Sequence, residues 1–152
     1  MKAILTFHSI DDRGSVLSFP PARFARMITE ILDSDVKICT LDQLLSPTID
    51  NALAITFDDG MRSVYSNALP VLKDANVPSH LYLTTGHVGG KNNWPTQPAG
   101  APAFEMMNWE EIEACVKAGM QIENHTVSHP NLCQLDHQRI EDECETADLS
   151  IE

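Results

Sequence analysis

The stretch Ala52–Gly60 decides the fold, and it reads ALAITFDDG. Its first six residues are almost continuously apolar, which is typical of a strand that is covered on both faces in a parallel sheet. The apolar run stops abruptly at Asp58 and Asp59, and Gly60 allows a sharp turn with no side chain in the way. The stretch therefore predicts a central strand that ends in two adjacent carboxylates.

Strands and helices alternate on both sides of this stretch. The expected strands are residues 3–7, 36–40, 52–57, 79–84 and 120–123. The expected helices are residues 22–32, 41–45, 64–75 and 109–118, and a last helix that Asp136 caps. Pro70 should break the third of these helices, and Asn108 should cap the fourth. Residues 86–102 are rich in Gly, Pro and Asn and predict a long loop. This order predicts an α/β fold of parallel βα units, in a single domain spanning residues 1–152.

Polar residues follow two of the expected strands. Asp58 and Asp59 end one strand, and the segment HTVSHP, residues 125–130, follows another. In sheets of this kind chemistry collects at the carboxyl ends of the strands, so both groups should share one edge. Two histidines four residues apart, His125 and His129, lie on one side of a helical turn and are close enough to share a metal ion.

One carboxylate and two imidazoles form a ligand set that leaves coordination positions open. Such a set suits a metal that activates water for attack on a carbonyl group, while the second carboxylate acts as a general base. Each motif alone has a simpler interpretation. Asp-Asp-Gly is common in surface turns, and a lone His-x-x-x-His pair can be two unrelated histidines.

The formal net charge of −12 argues against nucleic acid or an anionic membrane as a partner. Much of the negative charge comes from acidic residues near the C-terminal end, namely Glu141, Asp142, Glu143, Glu145, Asp148 and Glu152. The simplest interpretation of this cluster is a solvated helix face. The sequence has no apolar run long enough for a membrane span and no signal peptide at its start, which predicts either a cytoplasmic protein or one whose signal peptide has been removed.

Two segments carry a family resemblance. TFDDG, residues 56–60, and HTVSHP, residues 125–130, resemble the first and second motifs of the polysaccharide deacetylase superfamily, the NodB-homology group of chitin and peptidoglycan deacetylases. The opening TFHS, residues 6–9, is similar to the first strand of that family. The similarity covers nearly the whole chain.

The resemblance implies a role for each matching residue. Asp58 corresponds to the general base, and Asp59, His125 and His129 correspond to the ligands of one divalent metal ion, zinc first, with cobalt or another divalent ion as alternatives. The implied fold is a distorted (β/α) barrel. The implied reaction removes acetyl groups from an N-acetylated or O-acetylated oligo- or polysaccharide. Members of the family are often secreted or bound to the cell envelope, which differs from the cytoplasmic expectation.

The chain departs from the family pattern in two ways. Glu123 stands where relatives often carry Gly, two residues before the first metal-binding histidine. A full barrel takes about 250 residues, whereas this chain has 152 and shows neither the third motif nor a general-acid histidine. We therefore expect a truncated barrel. The alternatives are a weakly active or inactive remnant that binds metal or carbohydrate, and a hydrolase of another non-peptide C–N bond.

Other aromatic and histidine residues allow weaker expectations. His8 follows the first strand and Trp94 lies on the long loop, so both are candidates for substrate binding. His80 and His137 belong to no motif and are expected to be structural.

A partial barrel exposes strand edges and an apolar face, which predicts a homo-oligomer that covers them. Light scattering of the dilute protein tests this prediction, and a stable monomer would contradict it.

Overall fold

Five parallel strands form one sheet in the computed structural model, which describes residues 1–97 and 100–152. The strands are β1 (Lys2–Phe7), β2 (Lys37–Ile38), β3 (Ala52–Asp59), β4 (Ser79–Leu83) and β5 (Met120–Asn124). The helices are α1 (Pro21–Leu32), α2 (Leu41–Leu45), α3 (Leu69–Asp74), α4 (Trp109–Lys117) and α5 (His137–Ile151). The predicted α/β class with a parallel sheet is confirmed.

The sheet opens on one side of β3. Strand β1 pairs with β3 along six residues, from Ala52 to Phe57. On the opposite edge β2 pairs only with the first two residues of β3, and β4 pairs only with the last four. The register sets Asp59 opposite Leu83, which in turn pairs with Asn124 of β5. Strands β3, β4 and β5 therefore end at the same level, and the residues that follow them meet at one edge.

Side-chain capping begins several of the helices. The Asn108 side chain accepts a hydrogen bond from the Glu111 amide, and the Glu111 carboxylate accepts one from the Asn108 amide, which satisfies two N–H groups at the start of α4. Asp136 caps α5 with a single hydrogen bond, which its side chain accepts from the Arg139 amide. Both predicted caps are confirmed.

The predicted helix 64–75 is divided in two. Val64–Ala68 forms a π-helical turn, and α3 begins at Leu69. Pro70 has no N–H to continue the ladder, so the wider turn before it absorbs the change of register. The break predicted at Pro70 is confirmed. The long loop predicted over residues 86–102 opens with a 3₁₀ turn at Thr85–His87, and its residues Pro98 and Ala99 lie outside the described part of the chain.

Strand β3 is covered on both faces, as its apolar run predicts. Phe57 packs in an aromatic cluster with Phe7, Phe19 and Phe24, whose neighbouring ring centroids lie 5.1–5.9 Å apart. The small residues on the opposite face pack in a separate cluster with Cys39 and Leu44. This double coverage anchors the end of β3 in a rigid part of the molecule.

The outer strand β1 has a partly exposed face, where Ile4 is 53% exposed. The homo-oligomer expected to cover such a face stays a prediction. Among the described residues, no helix is both long and apolar enough to cross a membrane.

Replacing Gly60 by alanine should destabilise the protein. Gly60 has φ +96°, and a Cβ at this position would lie 2.6 Å from Cδ1 of the fully buried Leu83. Gly119 is a matched control, because its φ is +93° and a Cβ there would contact nothing within 4 Å. Both alanine variants should lose about 1–2 kcal/mol to backbone strain, and Gly60→Ala should lose about 1–3 kcal/mol more through overpacking. Urea unfolding measures the difference, and equal losses would show that Leu83 moves aside freely.

Candidate metal centre

Asp59, His125 and His129 converge at the common edge of the sheet. Oδ1 of Asp59 lies 3.6 Å from Nε2 of His125 and 3.6 Å from Nε2 of His129. One ligand atom from each residue can be chosen so that all three lie within 4.8 Å of one another. The Asp59 side chain is only 4% exposed, and its Oδ1 has no hydrogen-bond partner among the described residues.

The histidines are brought together by an irregular turn and not by a helical one. Thr126 has φ +67° and His129 has φ +54°, both in the left-handed region that L-residues rarely adopt. The predicted helical turn over this segment is therefore wrong. The Thr126 hydroxyl accepts a hydrogen bond from the His129 amide at 3.1 Å, which closes the turn. Asp59, with φ +75°, is a third residue of the site in this region. Such conformations cluster at functional sites.

The turn is supported from the β4 side by two backbone hydrogen bonds. The amides of Thr85 and Gly86 donate to the carbonyl oxygens of Thr126 and Val127, at 3.1 and 2.9 Å. Gly86 is required here because a Cβ would lie 2.7 Å from the Val127 oxygen.

Glu143 of α5 contacts the same turn, accepting hydrogen bonds from Val127 and Ser128. The prediction of a fully solvated acidic face on this helix is thus wrong for Glu143. Asp148 is exposed, as predicted, and also accepts a hydrogen bond from the Asn124 side chain. The charge pattern does not reveal these contacts, because the residues that they join are 16 and 24 positions apart in sequence.

Burial dominates the electrostatics of the site. It raises the pKa of the Asp59 carboxyl, against the opposing effect of His8 and the two histidines. It lowers the pKa of the His125 imidazole, against the opposing effect of Asp58 and Asp59. A divalent cation bound between the buried carboxylate and the two imidazoles would supply the positive partner that offsets the cost of burial. One carboxylate oxygen and two imidazole nitrogens are a donor set that zinc accepts, so the residues fit such an ion.

Asp58 stands beside this cluster without joining it. Its Oδ2 lies 3.9 Å from Nε2 of His8, and its side chain is 23% exposed. His8 lines a cavity of about 490 Å³ together with Asp59 and His129. His8 therefore has access to a molecule bound next to the three converging residues, and Asp58 lies directly behind it at 3.9 Å.

Trp94 also lies at the site, but it is 4% exposed and its indole stacks on the His129 ring at a centroid distance of 4.6 Å. Its observed contact thus orients His129, and contact with a sugar stays a prediction. Thr96 donates a hydrogen bond to the His129 carbonyl at 3.0 Å and lies 3.3 Å from His129 Nδ1. The Thr96 oxygen is therefore placed to accept a hydrogen bond from a protonated Nδ1 of His129. In that tautomer Nε2 carries no proton, and its lone pair is directed at Asp59. No pattern in the sequence points to Thr96.

Glu123, which departs from the family pattern, contacts a buried histidine. Its Oε1 lies 2.8 Å from Nδ1 of His80, and Nε2 of His80 accepts a hydrogen bond from the Leu41 amide at 2.9 Å. His80 therefore carries its proton on Nδ1 and links β4 to β5 and α2. This arrangement agrees with the structural role expected for His80. His137, by contrast, lies exposed at the start of α5.

A sequence model of the polysaccharide deacetylase family matches residues 46–152. The chain therefore belongs to the polysaccharide deacetylase family. Among curated proteins it is 28% identical, over 121 residues, to the poly-β-1,6-N-acetyl-D-glucosamine N-deacetylase of Staphylococcus aureus strain MRSA252. That match covers 76% of this chain and 39% of the relative, so the chain spans about two fifths of the relative's length.

Solved structures of similar proteins show the same fold. IcaB from Ammonifex degensii superposes with a TM-score of 0.78 at 24% identity, covering 98% of this chain and 67% of the other. The Streptococcus pyogenes deacetylase PplD, solved in complex with acetate, superposes with a TM-score of 0.77 at 19% identity, covering 98% and 68%. These likenesses confirm the predicted barrel-type arrangement of parallel βα units.

Replacing Asp59 by asparagine should affect the metal-free and zinc-loaded protein in opposite directions. The folded-state pKa of Asp59 is raised, so its charged form costs stability above that pKa, and the cost disappears as the pH falls through it. With chelator near neutral pH, Asp59→Asn should therefore raise the free energy of unfolding, because the variant carries no buried charge. Added zinc should stabilise only the parent protein. Thermal unfolding with EDTA and with zinc tests this, and equal stabilisation of both proteins by zinc would contradict it.

Proposed function

We propose that this chain is the metal- and base-carrying part of a metal-dependent carbohydrate deacetylase. Asp59, His125 and His129 hold one divalent ion, and Asp58 is the general base. The observation that carries this proposal is the buried Asp59 Oδ1, which lacks a hydrogen-bond partner among the described residues and faces two imidazole nitrogens at 3.6 Å. Zinc is the proposed metal, and cobalt or another divalent ion suits the same donors.

The proposed substrate is an oligo- or polysaccharide of N-acetylated amino sugars. Family membership and the name of the staphylococcal relative, which acts on a polymer of N-acetylglucosamine, support this class. The cavity of about 490 Å³ beside Asp59 and His129 is large enough for a sugar unit with its acetyl group.

The residues divide the chemistry of amide hydrolysis among them. When bound, the divalent ion supplies polarisation of the acetyl carbonyl and a lowered pKa of water. Asp58 accepts a proton from the attacking water while the water oxygen forms a bond to the carbonyl carbon. The C–N bond then breaks, and the nitrogen leaves with a proton as a free amine, while the acetyl group becomes acetate. His8, 3.9 Å from Asp58, is placed to carry a proton between the carboxylate and the departing nitrogen.

Acetate release from an N-acetylglucosamine oligomer, with zinc supplied, tests the proposal. Asp58→Asn should lower the rate about 10²–10⁴-fold because the base is lost, whereas its zinc affinity should remain close to that of the parent because Asp58 is not a proposed ligand. His8→Gln should also lower the rate, and EDTA should abolish it.

Replacement of the exposed His137 by glutamine is the matched control and should change neither rate nor zinc affinity. Zinc binding without acetate release by the parent chain would favour the alternative of a metal-binding remnant. Activity that survives both EDTA and Asp58→Asn would exclude the proposed mechanism.

A further inference from the structure

One carboxylate on α5 binds the turn that carries both metal-binding histidines. We propose that Glu143 is a positioning residue, which holds residues 125–129 in the conformation that directs both imidazoles towards Asp59. This inference rests on the proposed metal site. It assigns a role in metal binding to a residue that does not itself contact the three converging side chains.

Glu143 accepts three hydrogen bonds from the turn. Its Oε2 accepts from the amides of Val127 and Ser128, at 2.9 and 2.8 Å, and its Oε1 accepts from the Ser128 hydroxyl at 2.5 Å. Two successive amides can point at one oxygen only when the chain turns just before them, and the left-handed Thr126 makes that turn. The contact therefore selects the unusual backbone conformation of the turn.

That conformation would be unfavourable on its own. Thr126 is β-branched and has φ +67°, and His129 has φ +54°. Hydrogen bonds to a charged acceptor are stronger than those between neutral groups, so the Glu143 carboxylate is suited to offset this strain. Without it, the amides of Val127 and Ser128 would favour other conformations, in which His125 and His129 no longer share one point.

Helix α5 is itself fixed against the end of β5. The side-chain NH₂ group of Asn124 donates to the Cys144 carbonyl at 2.8 Å and to the Asp148 carboxylate at 2.7 Å. The side-chain oxygen of Asn124 accepts a hydrogen bond from the Thr126 amide at 2.7 Å. Glu143 therefore projects from a helix that Asn124 holds at Cys144, the next residue, and at Asp148, which keeps this part of α5 close to the turn.

Glu145 provides a control on the same helix. It is an exposed glutamate two residues from Glu143, and the described hydrogen bonds and ion pairs do not include it. Replacing either residue by alanine removes one negative charge and gives the helix the same new side chain. A difference between the two variants therefore reports the contact with the turn and not the general charge of α5.

The experiment measures zinc affinity by competition with a chromophoric chelator, for the parent chain, Glu143→Ala, Glu143→Gln and Glu145→Ala. Loss of a group that orients metal ligands typically weakens binding about 10–100-fold, and we expect this for Glu143→Ala. Glu143→Gln should restore most of the affinity, because its carbonyl oxygen can accept both amides and its NH₂ can donate to the Ser128 hydroxyl. Glu145→Ala should bind zinc like the parent.

Amide hydrogen exchange in EDTA gives a second readout that does not depend on metal. Glu143→Ala should lose protection at Val127 and Ser128 while the amides of β3 stay protected, which separates a local effect from failure to fold. A Glu143→Ala chain that binds zinc as tightly as the parent, or a Glu143→Gln chain as weak as Glu143→Ala, would overturn the role of Glu143 alone. A parent chain that binds no zinc would overturn the proposed metal site and this inference with it.

Discussion

The site depends on one electrostatic constraint, which is the burial of the Asp59 carboxylate without a hydrogen-bond partner at Oδ1 among the described residues. Removing a carboxylate from water is costly unless a positive charge or hydrogen bonds replace the solvent. Here burial raises the pKa of Asp59, and two imidazole nitrogens lie 3.6 Å from its Oδ1. A divalent cation satisfies all three groups together, whereas a proton satisfies only one of them.

The rest of the fold holds these groups in place. Strand β3 is covered on both faces, so the position of its last residue is determined by packing far from the site. The turn after β5 has the opposite character, because it contains two residues in the left-handed region. Hydrogen bonds from the end of β4 and to α5 support it. A rigid carboxylate and a turn supported from two sides therefore form the candidate metal centre.

Two residues of the loop after β4, Trp94 and Thr96, add a third support to the site. Trp94 covers one face of the His129 ring, and Thr96 contacts its Nδ1 and its carbonyl oxygen. His129 is thus oriented by packing and hydrogen bonding at once, while the His125 ring lies 5.0 Å from the His129 ring and has Tyr82 edge-on at 6.2 Å. Membership of the polysaccharide deacetylase family agrees with a site of this kind, in which the three candidate metal ligands come from separate strand ends.

The sequence by itself determined the parallel α/β class, the caps at Asn108 and Asp136, and the pairing of Asp58 and Asp59 with two histidines. The class and the caps follow from hydrophobic periodicity and capping residues, which act over a few residues, and the pairing follows because both motifs stand at the ends of parallel strands. Only the tertiary structure decided the left-handed turn at Thr126 and the contacts of Glu143 and Thr96. Those contacts join segments far apart in sequence, and their energies depend on distances that no local pattern records.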